Sequence, residues 1–364
     1  MGTMINIGEL LREMYNMKAS DLILKVGSPP IVRVYGDLQT LGGDLMTDDD
    51  ARVLLETILT DEQKARFGRN MELDVAISVP DLARFRVNIF RQRRHMGFVF
   101  RCIPTKIPTL DELQMPPILK ELAMRPRGLV LVTGPAGCGK STTVAAMVEY
   151  RNSTEPCHIL TVEDPVEFIY GDKLAMVNQR EVGKDTRSFA NALKYALRQD
   201  PDVIVIGEMR DLETIQLAVT AAETGHLVLS TLHTTDVINT IDRIIDVFPP
   251  HKQKQIRLQV SANLVGVVSQ VLLKKADESG MIAATEIMIT TAAIRNLIRD
   301  SKTHQIPSII QTRTKEGMRT LNASLVELVT SGEVIYYEAH RKSPRPEEFR
   351  EMMKKARAEK KTSS

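Results

Sequence analysis

The sequence predicts an α/β protein built on a parallel sheet and preceded by a small α+β unit. Three observations carry this expectation. Beyond residue 127, short continuous runs of Val, Ile and Leu alternate with helical patterns, as strands covered on both faces do. Before residue 104 the strand-like segments alternate apolar and polar residues, as in a sheet buried on one face. Between the two regions Pro104, Pro108, Pro116, Pro117 and Pro126 cluster and mark a linker over residues 104–126. At 364 residues, and roughly 150 residues per domain, the chain has room for two domains. The boundaries expected are 1–103 for the first, 127–340 for the second, and 341–364 for a basic tail.

In the first region Ile7 to Met17 is helix-like, with Ile7, Leu10, Leu11 and Met14 at helical spacing. Leu22 to Val26 and Ile31 to Tyr35 read as strands across a Gly27-Ser28-Pro29-Pro30 turn. Thr47 before Asp48, Asp49 and Asp50 is an N-cap with acids at the positive end of one helix running to about Phe67. Leu73–Val79, Ala83–Phe90 and Gly97–Ile103 are strands. In the middle one Phe85, Val87 and Ile89 share a face, and Arg84, Arg86 and Asn88 share the other. In the second region the strand-like runs are Gly128–Thr133, His158–Val162, Val203–Ile206 and Leu227–Leu232. After about Pro250 the chain reads as mostly helical. The tail from Arg341 holds nine basic and four acidic residues and reads as a frayed, solvated helix.

Composition narrows the function classes. Lys and Arg number 48 against 46 Asp and Glu, a formal net charge of +2, which argues against a nucleic-acid protein that works by neutralising phosphates. Trp is absent and aromatics are 4%, so stacking platforms for bases are few. The longest uncharged stretch, Leu258 to Leu273, is shorter than the ~20 residues that span a bilayer. Glu9, Arg12 and Glu13 stand where a signal peptide needs an apolar core, and Asn6 where a myristoylation signal needs Ser or Thr. Cys102, Cys138 and Cys157, with no CxxC pair, build neither a disulfide framework nor a four-Cys zinc site. The expectation is a reduced, soluble, cytoplasmic protein.

Gly134-Pro135-Ala136-Gly137-Cys138-Gly139-Lys140-Ser141 fits G-x-x-x-x-G-K-[ST] without a mismatch, after a strand and before the helix that opens at Thr142. Glycines let backbone N–H groups turn inward around phosphates, and the helix N-terminus adds partial positive charge. Lys140 would reach the β- and γ-phosphates of ATP, and the Ser141 hydroxyl would ligate Mg²⁺. Asp202 to Glu208 is a buried strand ending in a carboxylate, the Walker B arrangement, in which Glu208 would hold the magnesium through water. A second strand ends in Glu163-Asp164 before Pro165. Acids at the C-terminal ends of parallel strands are where α/β sites lie, and Glu163 would serve as general base. His226 and His233 bracket a third strand, and His233 is placed to meet a γ-phosphate.

In this order the pieces resemble the secretion ATPase superfamily of type II secretion and type IV pilus systems. The four boxes are the Walker A at 134–141, the acidic box Ile159 to Glu167, the Walker B at 202–208 and the His box at 224–234. Ala293-Ile-Arg-Asn-Leu-Ile-Arg299, Ala19-Ser-Asp-Leu22, Gly27-Ser-Pro-Pro30 and Arg84-Phe-Arg-Val-Asn88 are most similar to its pilus retraction ATPase family. The resemblance covers about residues 5–340. It departs at Ala136 and Cys138, where Thr and Ser are usual.

The resemblance implies a homohexameric ring whose ATP sites lie between a PAS-like N-terminal domain and a RecA-like C-terminal domain. Arginines of the first domain would close over the phosphates. Arg86 and Arg101 match those positions, with Arg84 and Arg91 as weaker candidates. It also implies an inner-membrane platform protein as partner, possibly beside a paralogous pilus ATPase, with no nucleic acid. The chain would be cytoplasmic and reach the inner membrane through partners. Competing readings are a weakly hydrolysing accessory retraction ATPase and an extension or secretion ATPase. The latter typically carries a four-Cys zinc site and a longer N-terminal region.

Overall fold

The computed structural model describes residues 6–80, 82–103 and 106–363 and divides the chain into two units, Met1–Lys106 and Ile107–Ser364. In the first, Asn6 caps the helix Ile7–Asn16 by accepting the N–H groups of Gly8 and Glu9. Strands β1 (Asp21–Lys25), β2 (Ile31–Val34), β3 (Asp37–Thr40), β4 (Glu72–Val79), β5 (Ala83–Gln92) and β6 (His95–Ile103) form an antiparallel sheet ordered β3-β2-β1-β6-β5-β4. The alternation in β5 holds: Phe85, Val87 and Ile89 are fully buried in this unit's core. The single helix expected after Thr47 is two helices, Asp48–Ile58 and Asp61–Asn70. Leu59 is extended at the break, and a Thr60–Gln63 capping box starts the second helix. Strand β3 escaped the sequence pattern because all four of its residues are exposed.

The second unit is a seven-stranded sheet of β7 (Gly128–Thr133), β8 (His158–Glu163), β9 (Met176–Glu181), β10 (Val203–Ile206), β11 (Leu227–Leu232), β12 (Leu264–Lys274) and β13 (Met281–Ile289). Its order is β13-β12-β7-β11-β10-β8-β9. Every pairing is parallel except β12 with β13. Both faces of its central strands are covered, which is why β7, β10 and β11 are buried along their whole length. In β7, Leu129 and Leu131 enter one core while Val130 and Val132 enter the other.

Three expectations change here. The linker expected over 104–126 is largely absent, since Pro104 lies outside the described residues and 107–126 pack into the second unit. Leu119 and Leu122 of the helix Ile118–Ala123 are fully buried beside Val130 and Val132. The region after Pro250 is not mostly helical, because it opens with the helix Pro250–Asn263 and then forms the β12–β13 hairpin. A strand buried on both faces shows no period by which to tell it from a helix. The tail is not frayed either. The helix Pro346–Ser363 buries Phe349 and Met353 against Leu273 and Leu325. Among the described residues no helix is long and apolar enough to cross a membrane.

Candidate nucleotide site and arginine face

The parallel order sets the site. Strands β7, β11, β10 and β8 are neighbours running in one direction, so their C-terminal tips line one edge of the sheet. Those tips deliver, in spatial order, the Gly134–Gly139 loop, His233, Glu208 and Glu163. Four segments scattered over a hundred residues become one row.

Lys140 opens the helix Lys140–Thr154 with its ammonium turned back on the loop, donating to the carbonyls of Gly134 at 3.0 Å and Pro135 at 3.1 Å. It also lies 3.4 Å from His233 Nδ1. His233 Nε2 is 3.1 Å from Glu208 Oε1, and Arg210 holds Glu208 Oε2 at 2.8 Å. A continuous polar chain therefore runs from the loop lysine to the Walker B acid. Burial pushes the Glu208 carboxyl up, but the Arg210 hydrogen bond and the nearby charges of His233 and Arg210 outweigh it. The net effect is a value below the usual carboxylate range. His226, by contrast, is structural, with Nδ1 3.0 Å from the Ala221 carbonyl.

Glu163 sits one strand away in a different setting. Burial raises its carboxyl, and three donors limit the rise: the Thr161 hydroxyl at 2.7 Å, the Gln179 amide at 3.2 Å and the Glu167 N–H at 3.3 Å. Gln179 lies on β9, a strand absent from the sequence reading because its residues are mixed and partly exposed.

The phosphate loop is braced from outside by a residue the sequence reading missed. Gln270 of β12, 1% exposed, donates from Nε2 to the Cys138 carbonyl at 2.6 Å and accepts the Thr143 hydroxyl at 2.9 Å. Gly134 is required here: its φ is +143°, and a Cβ would lie 2.3 Å from the Gln270 carbonyl. Cys138 is buried, burial pushes its thiol up, and its backbone carbonyl is the atom that Gln270 holds. Ser141 and Thr142 follow on the first turn of the helix, both partly exposed.

In the first unit, cross-strand register places Arg33, Asp21, Arg101 and Arg86 in one row across β2, β1, β6 and β5. Asp21 is nearly buried and takes Arg101 through Nε at 2.9 Å, with Arg33 Nε at 3.9 Å. Arg86 is likewise held through Nε, 3.6 Å from Asp74. Arg33 also donates from a terminal nitrogen to the Gly36 carbonyl at 2.8 Å, whereas Asp21 and Asp74 approach Arg101 and Arg86 at Nε, a contact that does not use the paired terminal nitrogens suited to forking around an oxyanion. Arg84 shares the face by alternation. Arg91 has the opposite parity, and its guanidinium lies 5.7 Å from the Phe67 ring centroid, so it does not belong to this row.

Loop, lysine and acid row on a parallel sheet define the class: a P-loop ATPase. The family model described as type II/IV secretion system protein matches residues 64–354. The type IV pilus retraction ATPase PilT of Pseudomonas aeruginosa is 50% identical over 345 residues, 95% of this chain and 100% of that one. PilU, a type IV pilus ATPase of the same organism, is 40% identical, covering 95% and 91%. The crystal structure of the pilus retraction motor PilT with bound ADP superposes with a TM-score of 0.85 at 43% identity, covering 94% of this chain and 98% of that one. The chain belongs to the type II/IV secretion ATPase family, among its pilus retraction ATPases.

Proposed function

We propose that the chain is the ATP-hydrolysing motor of type IV pilus retraction, working as a homohexamer at the cytoplasmic side of the inner membrane and acting on a membrane-embedded platform protein. The observation that carries the catalytic part is the single edge on which Lys140, His233, Glu208 and Glu163 stand together. Gly134 to Thr142 would wrap the phosphates with inward N–H groups, and Lys140 would leave the loop carbonyls for the β- and γ-phosphates. Glu163, whose carboxyl is raised by burial, takes a proton from the attacking water as general base. His233 relays the state of the γ-phosphate to Glu208. Arg86 and Arg101 would close over the transferring phosphoryl group and stabilise its charge.

The donor set fits Mg²⁺. The Ser141 hydroxyl and, through water, the Glu208 carboxylate are hard oxygen ligands, and Arg210 and His233 keep Glu208 ionised. Among the described residues no three His, Cys, Asp or Glu side chains cluster as a cage, which suits an ion completed by phosphate and water oxygens. When bound, that ion would neutralise charge developing between the β- and γ-phosphates.

Steady-state phosphate release by the purified chain, set against Lys140→Ala and Glu208→Ala, tests the motor. Release no higher than in those variants would leave the accessory, PilU-like reading in its place. A deletion strain tests direction: excess surface pili with lost twitching support retraction, and bald cells refute it.

A further inference from the structure

We infer that Gln270 is a positioning residue of the nucleotide site, fixing the peptide between Cys138 and Gly139 so that its N–H faces the phosphates. The inference deepens the ATPase reading and rests on it. A phosphate loop binds anions through N–H groups that point inward, and a peptide whose N–H does so turns its own carbonyl outward, where it needs a donor. The Cys138 carbonyl points into the protein, beneath a residue that is 3% exposed, where the donor it meets is the Gln270 amide at 2.6 Å. Gly139, on the other side of that peptide, has φ +85°, a conformation glycine adopts freely. Nothing in the local backbone therefore prevents this peptide from turning over and presenting an oxygen to the anion.

The amide is itself oriented. A glutamine side chain can donate to Cys138 only if its oxygen lies on the other side, and the Thr143 hydroxyl at 2.9 Å holds that oxygen there. Thr143 lies on the first turn of the helix that Lys140 begins, so loop, helix and β12 are locked by one side chain. Next to it, the Ser269 hydroxyl donates to the Thr235 carbonyl at 2.9 Å, tying the same strand to the segment after His233. Strand β12 thus frames both the phosphate loop and the histidine that reads it. Ser269 pairs with Thr133 at the end of β7, so β12 extends past the point where the loop leaves the sheet.

The test uses the full-length chain with a fluorescent ADP analogue and Mg²⁺. Gln270→Met keeps the volume and removes the donor, and the affinity is expected to fall by about tenfold or more, as leaving a buried carbonyl unmet implies. Gln270→Glu adds a readout that packing alone would not move. Its carboxyl donates only when protonated, so its affinity, at or below the methionine variant's while the carboxylate is charged, should climb toward the native one as pH falls. Melting temperatures with and without ADP are read in parallel. A merely structural role lowers the ADP-free value and leaves the ADP-induced rise intact, whereas a positioning role shrinks the rise even in a destabilised variant. Gln270→Met binding ADP within twofold of the native chain, or keeping the full ADP-induced rise, overturns the inference. Lys140→Ala separates the two levels: if it too binds and hydrolyses like the native chain, the nucleotide reading fails as a whole; if it alone is inactive, only the role of Gln270 is lost.

Discussion

The tips of β8 and β10 carry the same residue type one strand apart, yet the fold makes two different acids of them. Glu163 is partly buried and meets three neutral donors but no cation, so desolvation, with a smaller push from the Glu167 charge, raises its carboxyl. Glu208 faces Arg210 and His233, so charge outweighs burial and its carboxyl is lowered. Carboxyls whose environments push them apart are how one site divides acid–base work. The raised one suits proton abstraction, and the lowered one suits holding charge. Stability against pH follows with opposite signs. The contribution from Glu208 is complete above the ordinary carboxylate value and is lost as pH falls through its depressed value. Glu163 does the reverse, and stability falls as pH rises through its raised value.

The largest effect that would break this comparison is Glu208→Gln, which removes the charge but keeps the shape. Phosphate release should fall by about a thousandfold, measured as kcat, in line with losing a charged group at the transferring phosphoryl. Glu163→Gln should lower kcat by about a hundredfold while leaving ADP affinity near native, since a base acts on water and not on the ground-state nucleotide. Equal loss of affinity in both variants would erase the distinction between them. Arg210→Ala sharpens it. With the clamp gone, burial raises the Glu208 carboxyl, and the acid limb of the kcat/KM profile moves to higher pH. Thr161→Val is the smallest change. It removes one hydrogen bond that favours the Glu163 carboxylate, so the acid limb of kcat should move up by less than in Arg210→Ala. A downward move in either profile would contradict the assignment of causes.

Much of the site was legible in the sequence because its chemistry is local. The phosphate loop is one unbroken motif, and the acids at 163 and 208 follow apolar runs too short for helices. The alternation in β5 placed Arg86 on the polar face, and the structure added that its Nε faces Asp74 at 3.6 Å. What the sequence hid was whatever depends on a second element far along the chain. Gln270 and Gln179 are neutral side chains with no motif, and each gains meaning only from its neighbour on another segment of the chain. Arg91, a weaker candidate beside Arg86 from the start, has the opposite parity and lies over Phe67.

The largest misreading, helix for the β12–β13 hairpin, has the same origin. In a strand covered on both faces, periodicity disappears, and the Leu258–Leu273 stretch offers no local sign of where helix gives way to strand. By itself the sequence determined the phosphate loop, the strands that carry the acids and the family to which the chain belongs. Each of these rests on contacts or patterns within a few residues. Only the tertiary structure decided which acid is raised and which lowered, and what props the loop from behind. Those depend on burial and on partners brought together by the order of strands in the sheet.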